Sequence, residues 1–396
     1  MRRPLPVKDR FELPPGVIYL DGNSLGPRAK AVSEALRATE DAWATHLIGG
    51  WNDDGWMALP RRTGDRLARL VGAAPGTVVV GDTLSIQVYQ ALSAALRLRP
   101  TRRIILTDTG NFPGDAYVAQ GLIATLGGDY TLKAVAPDEV ADALDEQVAV
   151  LMLTEVDYRT GRRHAMVDLT QRAHAAGALT LWDLAHSAGA VALDLEEARA
   201  DFAVGCTYKF LNGGPGAPAY IYVRPDLVDA AHPSIRGWLG HAAPFDFDAE
   251  YRPAASVERF RIGTPAVLQM AALNAALTVW DDIDMAAVDA ARVVLSERLI
   301  EGVRRRCPAL TLVSPRDPLA RGSQVSFAFE EGYALVQALI ARGVVGDFRA
   351  PNIVRFGVTP LYLDESDIDA AVDAMGAVFD TDAWRRPEYQ VRKMVT

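Results

Sequence analysis

The spacing of apolar residues changes period several times along the chain. Residues 77–80 carry the pattern of a short buried strand, and 84–98 follow with the spacing of an apolar-rich helix. The switch recurs: a strand over 103–107 precedes a helix over 115–126, and a strand over 148–154 precedes a helix over 169–176. Further short apolar runs occupy 179–183, 203–206 and 219–223. Continuous rather than alternating apolar strands, spaced by helices, predict a mainly parallel sheet covered on both faces. Residues 17–224 therefore read as one large α/β unit. From Pro265 the pattern turns helical over 267–280 and 285–306. Strands at 310–313 and 324–329 and helices at 333–342 and 366–379 then predict a smaller C-terminal α+β domain. We divide the chain into residues 1–264 and 265–396. No Ser/Gly-rich linker separates the two parts, so they are expected to pack tightly.

Composition narrows the class. Apolar residues make up 49% of the 396 and charged residues 23%, an ordinary globular mix. The net charge is −9, and the longest basic run is Arg304-Arg305-Arg306, so the footprint of a nucleic-acid binder is missing. Two cysteines, Cys206 and Cys307, cannot supply a disulfide framework or a structural zinc site, and no metal is expected. The longest apolar runs fall far short of the ~20 residues that span a bilayer. The N-terminus, Met1-Arg2-Arg3-Pro4-Leu5-Pro6, is basic but has no apolar stretch behind it, so no secretory signal is read. These features predict a soluble, cytoplasmic enzyme of small molecules, with neither nucleic acid nor membrane as partner.

The strongest chemical signal is Tyr208-Lys209-Phe210-Leu211-Asn212-Gly213-Gly214-Pro215-Gly216, a lysine between an apparent strand and a glycine-rich turn. Another strand runs into Trp182-Asp183-Leu184-Ala185-His186. In a parallel α/β sheet both segments fall at the carboxyl edge, where ligands bind. An acid and a lysine at neighbouring strand ends match the needs of pyridoxal phosphate: the lysine forms a Schiff base, and the aspartate pairs with the pyridinium nitrogen. Alone, Lys209 would read as a solvated charge and Asp183 as a helix N-cap. Together with the glycine turn, they read as a site.

These segments, with Leu20-Asp21-Gly22-Asn23-Ser24-Leu25-Gly26, Asn111-Phe112-Pro113-Gly114-Asp115, Gly237-Trp238-Leu239-Gly240-His241 and Arg349-Ala350-Pro351-Asn352-Ile353-Val354-Arg355, resemble the kynureninase family. The resemblance runs in the family's order from about residue 20 to 379. It implies the fold of a type-I pyridoxal phosphate enzyme and hydrolytic Cβ–Cγ cleavage of L-kynurenine to anthranilate and L-alanine, in tryptophan catabolism. It also implies pyridoxal 5'-phosphate as cofactor and a homodimer with shared active sites.

Residue by residue, the resemblance makes Lys209 the cofactor lysine and the proton shuttle at the substrate Cα. Asp183 would hold the ring nitrogen, and His186 would lie close to the cofactor or else serve a helix start. Phe112 would stack on the pyridine ring, its alternative being core packing. Asp115 would support the ring's polar edge or cap its helix. Thr83, Leu84 and Ser85 follow a strand where backbone N–H groups face an anion, and would hold the phosphate or cap the helix. Tyr208 resembles the tyrosine that reaches the phosphate and moves a proton in the cleavage step. Trp238 and Thr264 resemble phosphate contacts from the neighbouring subunit; Trp238 alone would read as a core or interface aromatic. Arg355 is the candidate for the substrate α-carboxylate, with Arg349 a rival that would otherwise salt-bridge on the surface. Asn23 and Ser24 would join the pocket, although Asp21-Gly22-Asn23 is also a good turn sequence.

In one place the sequence departs from the family's pattern. Thr264 stands where some relatives have Asn, which implies a preference for L-kynurenine over its 3-hydroxy form. Two competing readings are another type-I enzyme, such as a cysteine desulfurase or class V aminotransferase, and a non-catalytic cofactor-binding relative. Neither Cys206 nor Cys307 sits in the kind of loop that a desulfurase needs.

Overall fold

The computed structural model describes residues 4–393, so the first three residues of the basic N-terminal stretch lie outside it. Seven strands form the large sheet: β1 (Val78–Val80), β2 (Ile104–Asp108), β3 (Thr131–Val135), β4 (Val148–Thr154), β5 (Leu179–Asp183), β6 (Phe202–Gly205) and β7 (Tyr220–Val223). Their order is β1-β7-β6-β5-β4-β2-β3. All neighbours from β6 to β3 pair in parallel, and β7 runs antiparallel to both β6 and β1. Six strands therefore present their carboxyl ends at one edge.

Burial explains why the strands read as continuous apolar runs. Every residue of β4 is buried, as is every residue of β5. Alternate side chains go to opposite faces: Ile105, Val150 and Leu181 join one core cluster, while Leu106, Leu151 and Trp182 join the other. Strand β3 was not legible in the pattern. It is the sheet edge, none of its residues is buried, and a lysine at its centre guards the edge.

Helices α1 (Ala31–His46) and α2 (Leu59–Leu70) precede the sheet, and α3 (Leu84–Leu98), α4 (Pro113–Leu126) and α5 (Met166–Ala175) alternate with its strands. Helix α6 (Val267–Ala276) lies against α1 and α2, and α7 (Met285–Arg306) leads into the C-terminal region. There a four-stranded antiparallel sheet has the order β8 (Thr311–Leu312), β9 (Gln324–Ala328), β11 (Ile353–Gly357), β10 (Asp347–Arg349). Helices α8 (Gly332–Ile340) and α9 (Glu365–Asp380) complete it.

The N-terminal segment is fastened to this smaller sheet region. Ile18–Tyr19 pairs in parallel with Val344–Val345, and Lys8 Nζ bonds Asp364 and Asp367 at 2.6 Å each. The chain then returns to the large sheet, where Gly26 N–H bonds Tyr208 O at 2.8 Å. Residues 20–26 therefore bridge the two sheets. No helix of the described residues is long and apolar enough to cross a membrane.

Candidate active site

Strands β5 and β6 end side by side, with Asp183 in register with Val204. The chain leaves β6 at Gly205 and turns at Asn212, which sits in the left-handed region at φ 61° and bonds back to Lys209 O at 2.9 Å. Lys209 therefore lies in the turn beyond the strand, not at its end. Its Nζ is 2.9 Å from His186 Nε2, 6.0 Å from the centre of the Phe112 ring and 5.7 Å from that of Tyr208. Gly26 crosses so close that a Cβ there would strike Lys209 O and the Asn212 side chain.

The acids beneath the lysine are buried. Asp183 Oδ1 accepts the Ala185 N–H at 2.8 Å. Burial pushes Asp183 up to about 6, against the pull of Lys209. Asp115 comes from the first turn of α4; burial, and then the Asp183 charge beside it, push it well above the usual carboxylate range. Two carboxyls so placed favour holding a proton between them. Burial, with the charges of Lys209 and Arg355 behind it, holds His186 well below its usual range, so its ring is neutral. With Nε2 accepting from the Lys209 ammonium, the ring proton falls on Nδ1. Neither His186 Nδ1 nor Asp115 Oδ2 has a hydrogen-bond partner. Tyr208 is half-buried, and burial raises its phenol well above the ordinary value.

Phe112 is not a core residue. It is 43% exposed and packs edge-on against Tyr158, ring centres 5.3 Å apart. Helix α3 begins at Leu84 with Thr83 as an extended N-cap residue whose side chain makes no capping bond. Thr83 and Ser85 are exposed, and the first N–H groups of an α-helix have no partner within the helix. Asp115 is not the N-cap of α4; Phe112 holds that position. Trp238, 43% exposed, and Thr264 are held near each other by a Leu239 N–H to Ile262 O bond. Trp238 packs on Phe245, so the structure does not join this pair to the Lys209 cluster by a bond within one chain.

The second cluster belongs to the smaller sheet. Arg355 on β11 is in register with Asp347 on β10, and both are buried. Arg355 Nε donates to Asp347 Oδ1 at 2.6 Å and Nη2 donates to Oδ2, while Nη1 donates to Tyr158 O. Ser24 Oγ donates to Asp347 Oδ2 at 2.7 Å and accepts from Arg355 Nη2 at 3.2 Å. Asn23 Nδ2 donates to Gln324 Oε1 at 3.2 Å, and Gln324 Nε2 donates to Tyr158 O at 3.0 Å. Residues 21–24 do form a turn, but Asn23 and Ser24 also carry side chains into this network. Arg349 is half-buried and bonds Asp347 Oδ2 at 2.9 Å, so it is more than a surface ion pair. Sequence reasoning missed Asp347, Tyr158 and Gln324. It also missed Thr154, which ends β4 in register with Asp183.

The fold and the lysine-centred edge define the class: a type-I pyridoxal phosphate enzyme fold. Solved structures with this architecture include a cysteine desulfurase from Thermococcus onnurineus NA1, at TM-score 0.79 and 18% identity over 96% of this chain and 99% of that one. A C-DES variant with glycine covalently linked to its PLP cofactor gives TM-score 0.80 at 20% identity, over 94% of this chain and 99% of that one. The sequence goes further than the fold. The kynureninase C-terminal domain family model matches residues 288–375. The kynureninase of Pseudomonas fluorescens is 47% identical over 99% of this chain and 96% of its own. That of Burkholderia pseudomallei (strain 1106a) is 48% identical at the same coverage. The chain belongs to the kynureninase family.

Proposed function

We propose that this chain is a pyridoxal 5'-phosphate-dependent hydrolase that cleaves the Cβ–Cγ bond of L-kynurenine, releasing anthranilate and L-alanine. The observation that carries the reading is the 47% identity to a kynureninase over nearly the whole of both chains, together with a lysine beside a buried histidine and acid pair, and a buried arginine whose charge reaches that histidine. The residues present fit the cofactor. His186 Nδ1 and Asp115 Oδ2 lack partners, the Phe112 ring is open, and the start of α3 has no side-chain cap.

Lys209 would hold the cofactor through Nζ, Asp183, supported by Asp115, would pair with its ring nitrogen, and His186 and Phe112 would contact its ring. Thr83, Leu84, Ser85 and Tyr208 of one protomer would bind the phosphate, together with Trp238 and Thr264 supplied by the second copy. Pyridoxal 5'-phosphate supplies an electron sink for the pair left at the substrate Cα. Lys209 Nζ would take and return the Cα proton. Neutral His186 at 2.9 Å accepts a hydrogen bond from that nitrogen and holds it in place. Water adds across the γ-carbonyl and the Cβ–Cγ bond breaks; Tyr208 delivers the proton that completes alanine at Cβ. Arg355 binds the α-carboxylate, with Asn23 and Ser24 lining that end of the pocket.

In this reading the enzyme is a cytoplasmic homodimer serving tryptophan catabolism and, through it, NAD biosynthesis. Its two parts, 1–264 and 265–396, are tied by the N-terminal strand that pairs with Val344–Val345. The desulfurase alternative rests on fold likeness at 18% identity. It is disfavoured by both cysteines: Cys206 and Cys307 are buried, and burial raises both thiols.

Supplying the cofactor-loaded protein with L-kynurenine and with L-cysteine separates these readings. Equimolar anthranilate and alanine from the first supports ours, whereas alanine and sulfide from the second alone would overturn it. Mixing inactive Lys209→Ala and Trp238→Ala subunits tests the shared site. Hybrid dimers that carry both changes in one protomer's pocket leave the other pocket intact, so activity should return.

A further inference from the structure

The Arg355 cluster contains a residue whose placement goes beyond neutralising a buried charge. Asp347 grips Arg355 along the edge formed by Nε and Nη2, with one carboxylate oxygen to each nitrogen. This is the planar two-point arrangement that fixes a guanidinium in orientation as well as position. Burial alone would raise Asp347, but its bonds with Arg355 hold it below the usual carboxylate range, so it is ionised when Arg355 is gripped. The far end of the fork is held more lightly. Nη1 donates to the Tyr158 carbonyl, and Nη2 reaches Ser24 Oγ across a long 3.2 Å.

A guanidinium has five N–H donors. Asp347 takes two, Tyr158 O takes one and Ser24 takes one, leaving one on Nη1. The residue that accepts from Nη1 through its backbone carbonyl, Tyr158, packs its ring against Phe112 with centres 5.3 Å apart, which ties this cluster to the residues around Lys209. His186 senses the Arg355 charge directly, which places the two clusters within electrostatic reach of each other. Ser24 is also bonded to Asp347 at 2.7 Å, so its hydroxyl keeps a partner when it releases Nη2.

We propose that Asp347 is the positioning residue for substrate recognition: it clamps one edge of Arg355 so that the Nη1–Nη2 end is presented to the substrate α-carboxylate, with Ser24 holding the place that one carboxylate oxygen takes. The inference rests on the reading of Arg355 as the carboxylate site. The opposing expectation is equally physical. A buried carboxylate bonded to Arg355 also competes with the substrate for the same charge, and in that case its removal would tighten binding.

Steady-state kinetics on the cofactor-loaded enzyme decide between them. For Asp347→Asn, KM for L-kynurenine is expected to rise by about tenfold or more while kcat changes by less than about threefold, the pattern of lost binding rather than lost chemistry. Kynuramine, which lacks the α-carboxylate, serves as a competitive ligand, and its inhibition constant is expected to stay within about twofold of wild type. An unchanged or lower KM, or an equal loss for kynuramine, overturns the proposal. Asp347→Glu keeps the negative charge and so the neutralisation of Arg355, but moves the clamp by one methylene. It too is expected to raise KM by several-fold, about threefold or more. Wild-type KM in the Glu variant would mean that charge alone matters, which also overturns the proposal and does so even if the Asn variant fails to fold. Arg355→Gln checks the underlying reading separately. If it leaves KM for L-kynurenine unchanged, the carboxylate binds elsewhere and the reading itself fails.

Discussion

Two clusters meet at this site, and they are built in opposite ways. Around Lys209 several buried polar atoms have no partner, namely His186 Nδ1 and Asp115 Oδ2, and the start of α3 is uncapped. Around Arg355 almost every guanidinium donor is met, by Asp347, Ser24 and Tyr158, and the atoms without partners are the neighbouring Asn23 Oδ1 and Asp21 Oδ1. A buried polar group left without a partner costs about 1–3 kcal/mol, which a group bound beside His186 Nδ1 and Asp115 Oδ2 would recover in the first cluster. The second is neutralised in advance and suits a ligand that arrives and leaves with each turnover. The acids follow the same division. Asp183 and Asp115 are pushed up for want of a counter-charge close enough to outweigh burial, whereas Asp347 is held down by its arginine.

The sharpest way to break this comparison is to remove each cluster's cation. Lys209→Ala should lower anthranilate production by more than about a thousandfold, because in the proposed mechanism it removes both the covalent anchor and the proton carrier. Its far-UV circular dichroism and melting curve should match wild type, since Lys209 is only half-buried and bonds one neutral ring. Residual turnover within a factor of ten of wild type would contradict its role.

Arg355→Gln should cost about a hundredfold in kcat/KM, the scale of a lost charge-assisted carboxylate contact. Unlike Lys209→Ala, it should also destabilise the fold by about 3–5 kcal/mol, because Asp347 is left as a buried charge without its main partner. Urea titration of the two variants side by side checks this contrast. Equal stabilities would remove the distinction between an open cluster and a neutralised one.

An uneven spot in the second cluster gives a smaller effect. Burial, and then the Asp347 charge, push Asp21 up to about 7, and its Oδ1 has no partner. Between about pH 4 and about pH 7 the folded chain keeps a proton here that the unfolded chain has released. Stability therefore falls as pH rises through this window, by at most about 1.4 kcal/mol per pH unit from this group, and levels off above it. Asp21→Asn should flatten that slope in urea titrations taken at several pH values. An unaltered slope would show that Asp21 is not the group responsible.

The smallest expected effect concerns substrate choice. Thr264→Asn should move the ratio of kcat/KM for L-kynurenine over 3-hydroxykynurenine by about threefold to tenfold toward the hydroxylated substrate, the scale of one hydrogen bond. A wild-type ratio at or below one would refute the preference read from Thr264.

How far each cluster could be read from the sequence follows from how it is assembled. The Lys209 cluster is carried by contiguous segments. Tyr208 to Gly216, Asp183 to His186 and Asn111 to Asp115 each follow a strand of the large sheet, and buried parallel strands advertise themselves as unbroken apolar runs. Phe112 shows the limit: its ring stays partly exposed and packs edge-on against Tyr158, 46 residues further along the chain, and nothing local signals that contact. The Arg355 cluster draws on residues 23–24, 158, 324, 347 and 355, far apart in the chain. Asp347 alone had a local signal. Its strand and that of Arg355 form a hairpin centred on Pro351, and antiparallel register about that point pairs 347 with 355. The sequence pattern did not separate β10 from β11, so that pairing went unread. Strand β3 and helix α1 escaped for a simpler reason: β3 has no buried residue, and α1 keeps only Val32 buried.

Attachment of the cofactor at the carboxyl edge of the large sheet, through Lys209, is directly testable because the chain has only five lysines, at 8, 30, 133, 209 and 393. The protein is loaded with pyridoxal 5'-phosphate, reduced with borohydride and digested, and the peptides are weighed. The visible absorption band is expected to disappear on reduction, leaving a single modified peptide, the one that contains Lys209. A modification on Lys8, Lys30, Lys133 or Lys393 instead, or no modified peptide at all, would contradict it.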